Sequence, residues 1–375
     1  MGKIVFLVGS IPNPRIAKKI NSLKKENDVY LIYWSRNDKR FNMPLEVNIA
    51  PNNINKISLN NPYKKKFKRV LLTINFYFKA KKLLAKIKPN VIHACALDMA
   101  FLSYIYSAKN RAIHIVYELG DLREIMFKNY VIFLQRRILK RIDLLILTST
   151  KFWSNYFIKY KICTADKKYL FIPNVPEEKI FKEYKKKEKS ISLTIGYCGM
   201  MRFREQLLML IKVVSELIRE DYKIDIFLAG NGVEADLIKE YAQKYDFITY
   251  IKKYNYQKEI AKLIAKLDII YCLYPSNKIK KDVIANRFYE AIICGIPILS
   301  PKNTWQGELT LKYNIGFTVS HKNPNELKDI LRKIYKDRKL IENIQKRCKI
   351  LKPNFAYKKY ESLLLRKYCE ILENK

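Results

Sequence analysis

Most of the residue patterns that carry chemistry lie in the second half of the chain. The run Asn286-Arg287-Phe288-Tyr289-Glu290-Ala291-Ile292-Ile293-Cys294 has helical spacing and is followed by Gly295, a helix stop. A carboxylate near the start of such a helix can accept hydrogen bonds from both hydroxyls of a sugar diol, a task that fits Glu290. The alternative is a favourable charge in the first helical turn. A second chemistry is written in Gly196-Tyr197-Cys198-Gly199-Met200-Met201-Arg202-Phe203-Arg204. Glycine lets the backbone approach a ligand, and the helix that follows offers free N–H groups to phosphate. Arg202 and Arg204 add forked cations that match phosphate oxygens, or are simply solvated. Ala229-Gly230-Asn231-Gly232 could line the same pocket or serve as a plain strand-to-helix turn. Neither loop is GxGxxG and there is no GxxxxGK, so the dehydrogenase and P-loop signatures are missing.

These loops need elements to hold them. Lys3 to Val8 reads as a strand that stops at Gly9, enters a helix over Arg15 to Asn27, and is followed by a strand at Val29 to Tyr33. The same grammar restarts at Ile191 to Tyr197, with a helix over Glu205 to Glu220 and a strand at Ile224 to Ala229. Further short β-branched runs, such as Val91–Ala94, Leu144–Leu147, Ile269–Leu273 and Gly316–Val319, suit strands buried on both faces. Strands alternating with amphipathic helices predict α/β architecture, and the repeated start predicts two doubly wound, Rossmann-like domains. The boundary falls in Pro173 to Ser190, which holds two prolines and a Lys-rich stretch. We therefore expect domains at residues 1–175 and 190–352. Residues 353–375 then form a C-terminal helix packing back on the N-terminal domain.

Composition sets outer bounds. The chain has 375 residues, 49% hydrophobic and 29% charged, enough to fill two cores. Its 73 Lys and Arg against 35 Asp and Glu give a formal charge of +38. Such an excess favours anionic partners, although AT-rich codon usage also enriches Lys, so only local clusters carry weight. No apolar run is long enough to span a bilayer. The N-terminus reads as a first strand rather than a signal peptide. The seven cysteines form no CxxC pair and suit reduced, buried thiols of a cytosolic protein. The three histidines, His93, His114 and His321, have no metal-ligand spacing, and no metal is expected.

The run from Asn286 to Pro297 resembles the PNKxxEAxxxGxPV segment of nucleotide-sugar glycosyltransferases with two Rossmann-like domains, the GT-B fold, family 4-like or "group 1". Other segments fall in that family's order. Asn13-Pro14-Arg15 resembles its N-terminal loop, Val91-Ile92-His93-Ala94 its acceptor-domain strand, and Tyr117-Glu118-Leu119-Gly120-Asp121 its catalytic-crevice loop. Ile172-Pro173-Asn174 is similar to its hinge, Gly196 to Arg204 to its phosphate loop, and Asn303 to Glu308 to its late donor-side loop. The resemblance implies a hexosyl-type transferase whose second domain binds a nucleoside-diphosphate sugar and whose first binds the acceptor, with retention and without a cofactor. Glu290 would hold the ribose, and Arg202 with Arg204 or Arg287 the diphosphate. Asn286, Gly199 and Tyr254 would complete the donor site. Asp121, Glu118 and His93 would be the catalytic candidates, with Gly9 and Arg15 in the acceptor or crevice loop. The chain departs from the pattern in three places. Asp282 stands where a second glutamate is usual, Ala285 where a proline is, and Gly120 where many relatives carry a histidine.

Residues 62–88 contain ten Lys or Arg and no carboxylate. Phe67, Val70, Leu71, Ile74 and Phe78 fall at helical spacing, with Phe76 and Tyr77 on another face. That pattern suits an anionic membrane surface, or else an ordinary helix with a solvated basic face. Membrane docking would fit a lipid-linked acceptor in surface polysaccharide biosynthesis, at a cytoplasmic or peripheral inner-membrane location. The competing functions are a sugar-nucleotide 2-epimerase of the same fold and a non-catalytic nucleotide-binding partner subunit. No nucleic-acid-binding motif accompanies the charge, so no nucleic-acid partner is expected.

Overall fold

A computed structural model describes residues 2–35, 47–59, 66–108, 110–185 and 190–373, without the side chains of 66–70. The chain forms two compact units. Met1–Pro173 together with Lys359–Lys375 makes the first, and Asn174–Lys358 makes the second.

The first unit is built on seven parallel strands: β1 (Lys3–Val8), β2 (Asp28–Ser35), β3 (Ile54–Ser58), β4 (Val91–Cys95), β5 (His114–Leu119), β6 (Leu144–Leu147) and β7 (Tyr169–Phe171). Their order across the sheet is β3-β2-β1-β4-β5-β6-β7. Helices cover both faces, so the central strands are apolar at almost every position; Ile4 to Val8 of β1 are all buried. The order reverses between β1 and β4, which brings the loops after those strands to one crevice at the carboxyl edge. The helix Pro14–Leu23 starts there because Asn13 caps it, accepting from the Ile16 N–H at 3.2 Å, with Pro14 in its first turn.

In the C-terminal helix Tyr357–Glu373, Tyr360, Leu364 and Tyr368 recur every four residues and are buried. Within the first unit Tyr360 meets Phe171 edge-on, the ring centroids 6.3 Å apart. Leu372 packs where a side chain on Gly2 would sit.

The second unit repeats the plan with β8 (Leu193–Cys198), β9 (Ile224–Ala229), β10 (Ile248–Ile251), β11 (Ile269–Tyr271), β12 (Ile298–Pro301) and β13 (Gly316–Val319). All pair in parallel in the order β10-β9-β8-β11-β12-β13. Its core joins Ile195, Ile226, Ile269 and Leu299 of the sheet to Leu210, Val214 and Leu217 of the helix Arg204–Arg219. The α/β class and the pair of Rossmann-like sheets expected from the sequence are what the chain adopts.

Candidate donor site

The order reversal of the second sheet lies between β8 and β11. Beyond β8 the chain passes through Gly199 into the helix Arg204–Arg219, whose N-terminus has no side-chain cap. Its first N–H groups therefore face the crevice ready for an anion. The two glycine loops interlock. Gly199 N–H donates to the Ala229 carbonyl at 2.7 Å and Met201 N–H to Asn231 at 2.9 Å. Gly230 holds φ +133°, and a Cβ there would lie 1.9 Å from the Gly199 carbonyl oxygen. Backbone packing thus accounts for the Ala229–Gly232 glycines.

The helix Asn286–Cys294 follows the sequence expectation residue for residue and ends at Gly295 in the left-handed conformation, φ 67°. Glu290 on it is fully enclosed, at 0% exposure. Its Oε1 accepts from Arg287 Nη1 at 3.0 Å and from the Tyr256 hydroxyl at 2.8 Å. Its Oε2 is buried and receives no hydrogen bond. Burial pushes the Glu290 carboxyl above the ordinary carboxylate value, against the pull of Arg287 and Tyr256. Arg287 lies over the Tyr197 ring, 5.6 Å from its centroid, and its Nη2 sits 2.5 Å from where a Cβ on Gly199 would be. Glycine at 199 is what lets this guanidinium lie against the loop. Burial raises the Tyr254 hydroxyl pKa, and Tyr254 lies close enough to Arg287 and Glu290 to feel both charges.

The remaining expected donor residues divide. Asn286 accepts a short hydrogen bond from Asn174 at the start of this unit. Arg202 is exposed and stacks on its neighbour Phe203, 5.1 Å from the ring centroid. Arg204 is exposed and paired with Glu234 at 3.5 Å, so of the three arginines Arg287 is the one engaged with Glu290. Asp282 is buried, at 5% exposure, although it lies in a lysine-rich loop. The late loop holds the helix start. Gln306 accepts from the Ala285 N–H at 2.9 Å and donates to Ser300 at 3.0 Å, while Thr304 caps the next helix through Gly307 N–H.

In the first unit, Glu118 at the end of β5 gathers three partners. Lys19 Nζ lies 2.7 Å and His93 Nε2 3.0 Å from one oxygen, and Arg15 Nε lies 3.1 Å from the other. His93 stacks on Phe6 at 4.3 Å and shares its Nδ1 with the Tyr368 hydroxyl of the C-terminal helix. The pairing assigns the Nε2–H tautomer, and burial holds the His93 pKa below its ordinary value. His93, Lys19 and Tyr368 are 0% and Glu118 1% exposed, so Arg15 is the member of this cluster that reaches solvent. Asp121 is exposed in the next loop, and Gly9 ends β1 beside Asp98. Sequence reasoning missed Lys19 and Tyr368. Lys19 stands one turn from Arg15 on the same helix, a legible pairing, whereas nothing in the sequence marked Tyr368.

Residues 176–350 match the family model described as glycosyl transferases group 1. The second unit carries a group 1 glycosyltransferase domain. The chain is accordingly an enzyme of the glycosyltransferase class. Over 100% of both chains it superposes on Alr3699/HepE of Anabaena, solved in complex with UDP and glucose, with TM-score 0.71 and 18% identity. It also superposes over 100% of both chains on sucrose-phosphate synthase of Thermosynechococcus elongatus, with TM-score 0.74 and 14% identity. A UDP-N-acetylglucosamine 2-epimerase structure aligns with TM-score 0.58 at 14% identity, over 92% of this chain and 90% of its own. At such identities these structures establish the shared GT-B fold. No curated protein matches the chain by sequence.

Proposed function

We propose that the chain transfers a sugar from a nucleoside-diphosphate sugar to a lipid-linked glycan acceptor, the donor in the second unit and the acceptor in the first. The observation that carries this reading is the Glu290 carboxylate. Arg287 and Tyr256 saturate one oxygen, the other is buried without a donor, and Arg287 also lies against Gly199 of the glycine loop. A buried carboxylate oxygen without a donor is costly, and a ribose hydroxyl would satisfy it. In this reading Asn286 and Tyr254 complete the donor site. The solved complex of HepE with UDP and glucose supports a uridine nucleotide as first choice.

In the proposed reaction the bond from the sugar's anomeric carbon to the diphosphate breaks and a bond to the acceptor oxygen forms. Arg287, Arg202 and the N-terminus of Arg204–Arg219, without a metal ion, counter the charge that develops on the diphosphate. Asp121, exposed after β5, takes the acceptor's proton. Retention of configuration rests on the family likeness.

The acceptor's lipid character is supported by the helix Lys66–Ile87. Phe76, Ala80 and Leu84 face the core, while Leu71, Ile74 and Phe78 form a separate stripe, 62%, 47% and 57% exposed. Exposed Lys79, Lys81, Lys82 and Lys86 accompany it, so this face matches an anionic membrane surface. Residues 62–65 of the basic stretch lie outside the described residues. No helix among the described residues is long and apolar enough to cross a membrane.

The test is a product assay with labelled UDP-glucose and a bacterial lipid extract. Label entering the organic phase with release of UDP supports transfer. An altered free sugar formed without acceptor would make the chain an epimerase. Binding of UDP with no turnover of a panel of UDP-sugars would make it a non-catalytic subunit.

A further inference from the structure

The helices Lys66–Ile87, Leu97–Ser107 and Asn129–Arg141 link β3 to β4, β4 to β5 and β5 to β6. All three connections step the same way across the first sheet, so right-handed crossovers place these helices in one layer on one face. The layer is continuous. Leu97–Ser107 packs on Asn129–Arg141, and its Tyr106 lies close enough to Tyr77 of Lys66–Ile87 to feel its charge. Of the twelve large hydrophobic side chains exposed among the described residues, seven lie on this layer or on the turn leading into it. The other five, Ile191, Met200, Val233, Leu311 and Ile350, stand apart in the sequence. Single exposed apolar residues are ordinary, whereas a concentration marks an interaction surface.

The stripe of Leu71, Ile74 and Phe78 is one part of that concentration. Ile125, Tyr130 and Phe133 are another, 54%, 67% and 55% exposed, on the turn Glu124–Phe127 and the start of the helix Asn129–Arg141. This helix already fills its core face with Val131, Ile132, Ile138 and Leu139, so folding does not call for Tyr130 or Phe133 outside. Lys128, Arg136, Arg137 and Lys140 are exposed around them, and Glu124 is the only carboxylate between Leu122 and Ile142. Arg137 lies over the Phe133 ring, 4.9 Å from its centroid. Apolar side chains bordered by cations suit the boundary between acyl chains and anionic headgroups, where tyrosine also settles. Both helices run away from the carboxyl edge of the sheet. Leu71 and Ile74 fall in the first half of one, Tyr130 and Phe133 in the first half of the other, so both patches lie toward the edge where the crevice opens. Asp121 stands in the same loop, four residues before Ile125.

Resting on the lipid-linked acceptor of the proposed function, we infer that the turn Glu124–Phe127 and the helix Asn129–Arg141 form a second membrane contact. Ile125, Tyr130 and Phe133 enter an anionic bilayer alongside the stripe of Lys66–Ile87. Such a contact holds the Asp121 loop at headgroup level, where the head of a lipid-linked acceptor lies. Two contacts on one layer reinforce each other, because the first to bind raises the effective concentration of the second.

Sedimentation with vesicles of phosphatidylcholine, alone or mixed with phosphatidylglycerol, tests this at low salt. The proteins are wild type, Ile125→Ser/Tyr130→Ser/Phe133→Ser, and that variant combined with Leu71→Ser/Ile74→Ser/Phe78→Ser. We expect wild type to favour the anionic vesicles and the new triple variant to lose at least tenfold in vesicle affinity at an unchanged melting temperature. The combined variant should lose more than either set alone. Phe133→Trp keeps a ring at the surface, so it should bind as wild type does and gain quenching by brominated lipid beyond that of the native tryptophans. The inference is overturned if the triple variant sediments as wild type does, or if Trp at 133 gains no quenching in vesicle-bound protein, a readout that stands even where the triple variant misfolds. Equal binding of wild type to both vesicles, or to neither, also overturns it. Failure of the transfer reading looks different: the vesicle results would hold while the product assay put no label into lipid.

Discussion

Arg287 donates to Glu290 across one turn of the same helix at 3.0 Å, and its other terminal nitrogen lies against Gly199 of the facing loop. One side chain thus ties the buried carboxylate of the candidate donor site to the glycine loop. Both partners are withdrawn from water, so neither charge can be removed cheaply.

Arg287→Met removes the cation that opposes burial and leaves the enclosed Glu290 carboxyl with Tyr256 as its sole donor. Breaking a buried pair in this way costs about 3–5 kcal/mol. Urea unfolding should show that loss; a change below about 1 kcal/mol would mean that the pair contributes nothing to holding the second unit together.

Gly199→Ala tests the contact from the loop side. The added Cβ meets Arg287 Nη2 at 2.5 Å and the Tyr197 hydroxyl at 2.6 Å, both at the ends of flexible side chains. We expect a stability loss of no more than about 1–3 kcal/mol. Nucleotide affinity should fall about tenfold, equivalent to 1.4 kcal/mol, as Arg287 is displaced. Unchanged affinity would separate Arg287 from the ligand.

The first unit should lose stability as pH falls, in two stages. Burial holds the folded-state pKa of His93 below its ordinary 6.5. Below that pH the unfolded chain therefore takes up a proton that the folded chain refuses. Burial acts to raise the Glu118 pKa, but Lys19, Arg15 and His93 outweigh it and hold the carboxyl well below 4.5. Its contribution is present above pH 4.5 and is lost as pH falls toward the folded-state value. Each stage can slope by at most about 1.4 kcal/mol per pH unit. Melting curves from pH 8 to pH 4 check this, and His93→Gln should flatten the upper stage. An upper stage that persists in the variant would contradict the assignment.

The exposed stripe on the helix Lys66–Ile87 predicts sedimentation with vesicles containing phosphatidylglycerol at low salt. Leu71→Ser/Ile74→Ser/Phe78→Ser should lower the vesicle-bound fraction at least tenfold without shifting the melting temperature, because the core face carries Phe76, Ala80 and Leu84. Binding equal to wild type would remove the stripe from any membrane role.

Local patterns carried the fold. β1, β6, β9, β13 and the helix Asn286–Cys294 stand at the expected residues, because buried parallel strands and a glycine stop write themselves into adjacent positions. β3 escaped notice because Ile54–Ser58 is an edge strand with only Ile57 buried, so its sequence has no apolar run. The site was legible to the same depth. Glu290, Arg287 and His93 sit in local motifs, whereas the partners that give them chemistry come from distant helices. Tyr256 reaches Glu290 across 34 positions and Tyr368 reaches His93 across 275, and no local pattern encodes such a pairing. Burial was illegible too: Lys19 reads as a solvated helix lysine and is 0% exposed.

The measurement that bears most directly on the donor site is calorimetric titration of UDP, with CDP, GDP and ADP alongside, into wild type, Glu290→Ala and Glu290→Gln. If the Glu290 carboxylate holds the ribose hydroxyls, one diphosphate binds wild type preferentially. Both variants then weaken it about 10- to 100-fold, the loss expected when charged hydrogen bonds worth about 1.5–3 kcal/mol disappear. Equal affinity in folded Glu290→Gln, or no diphosphate bound by wild type, would contradict the account.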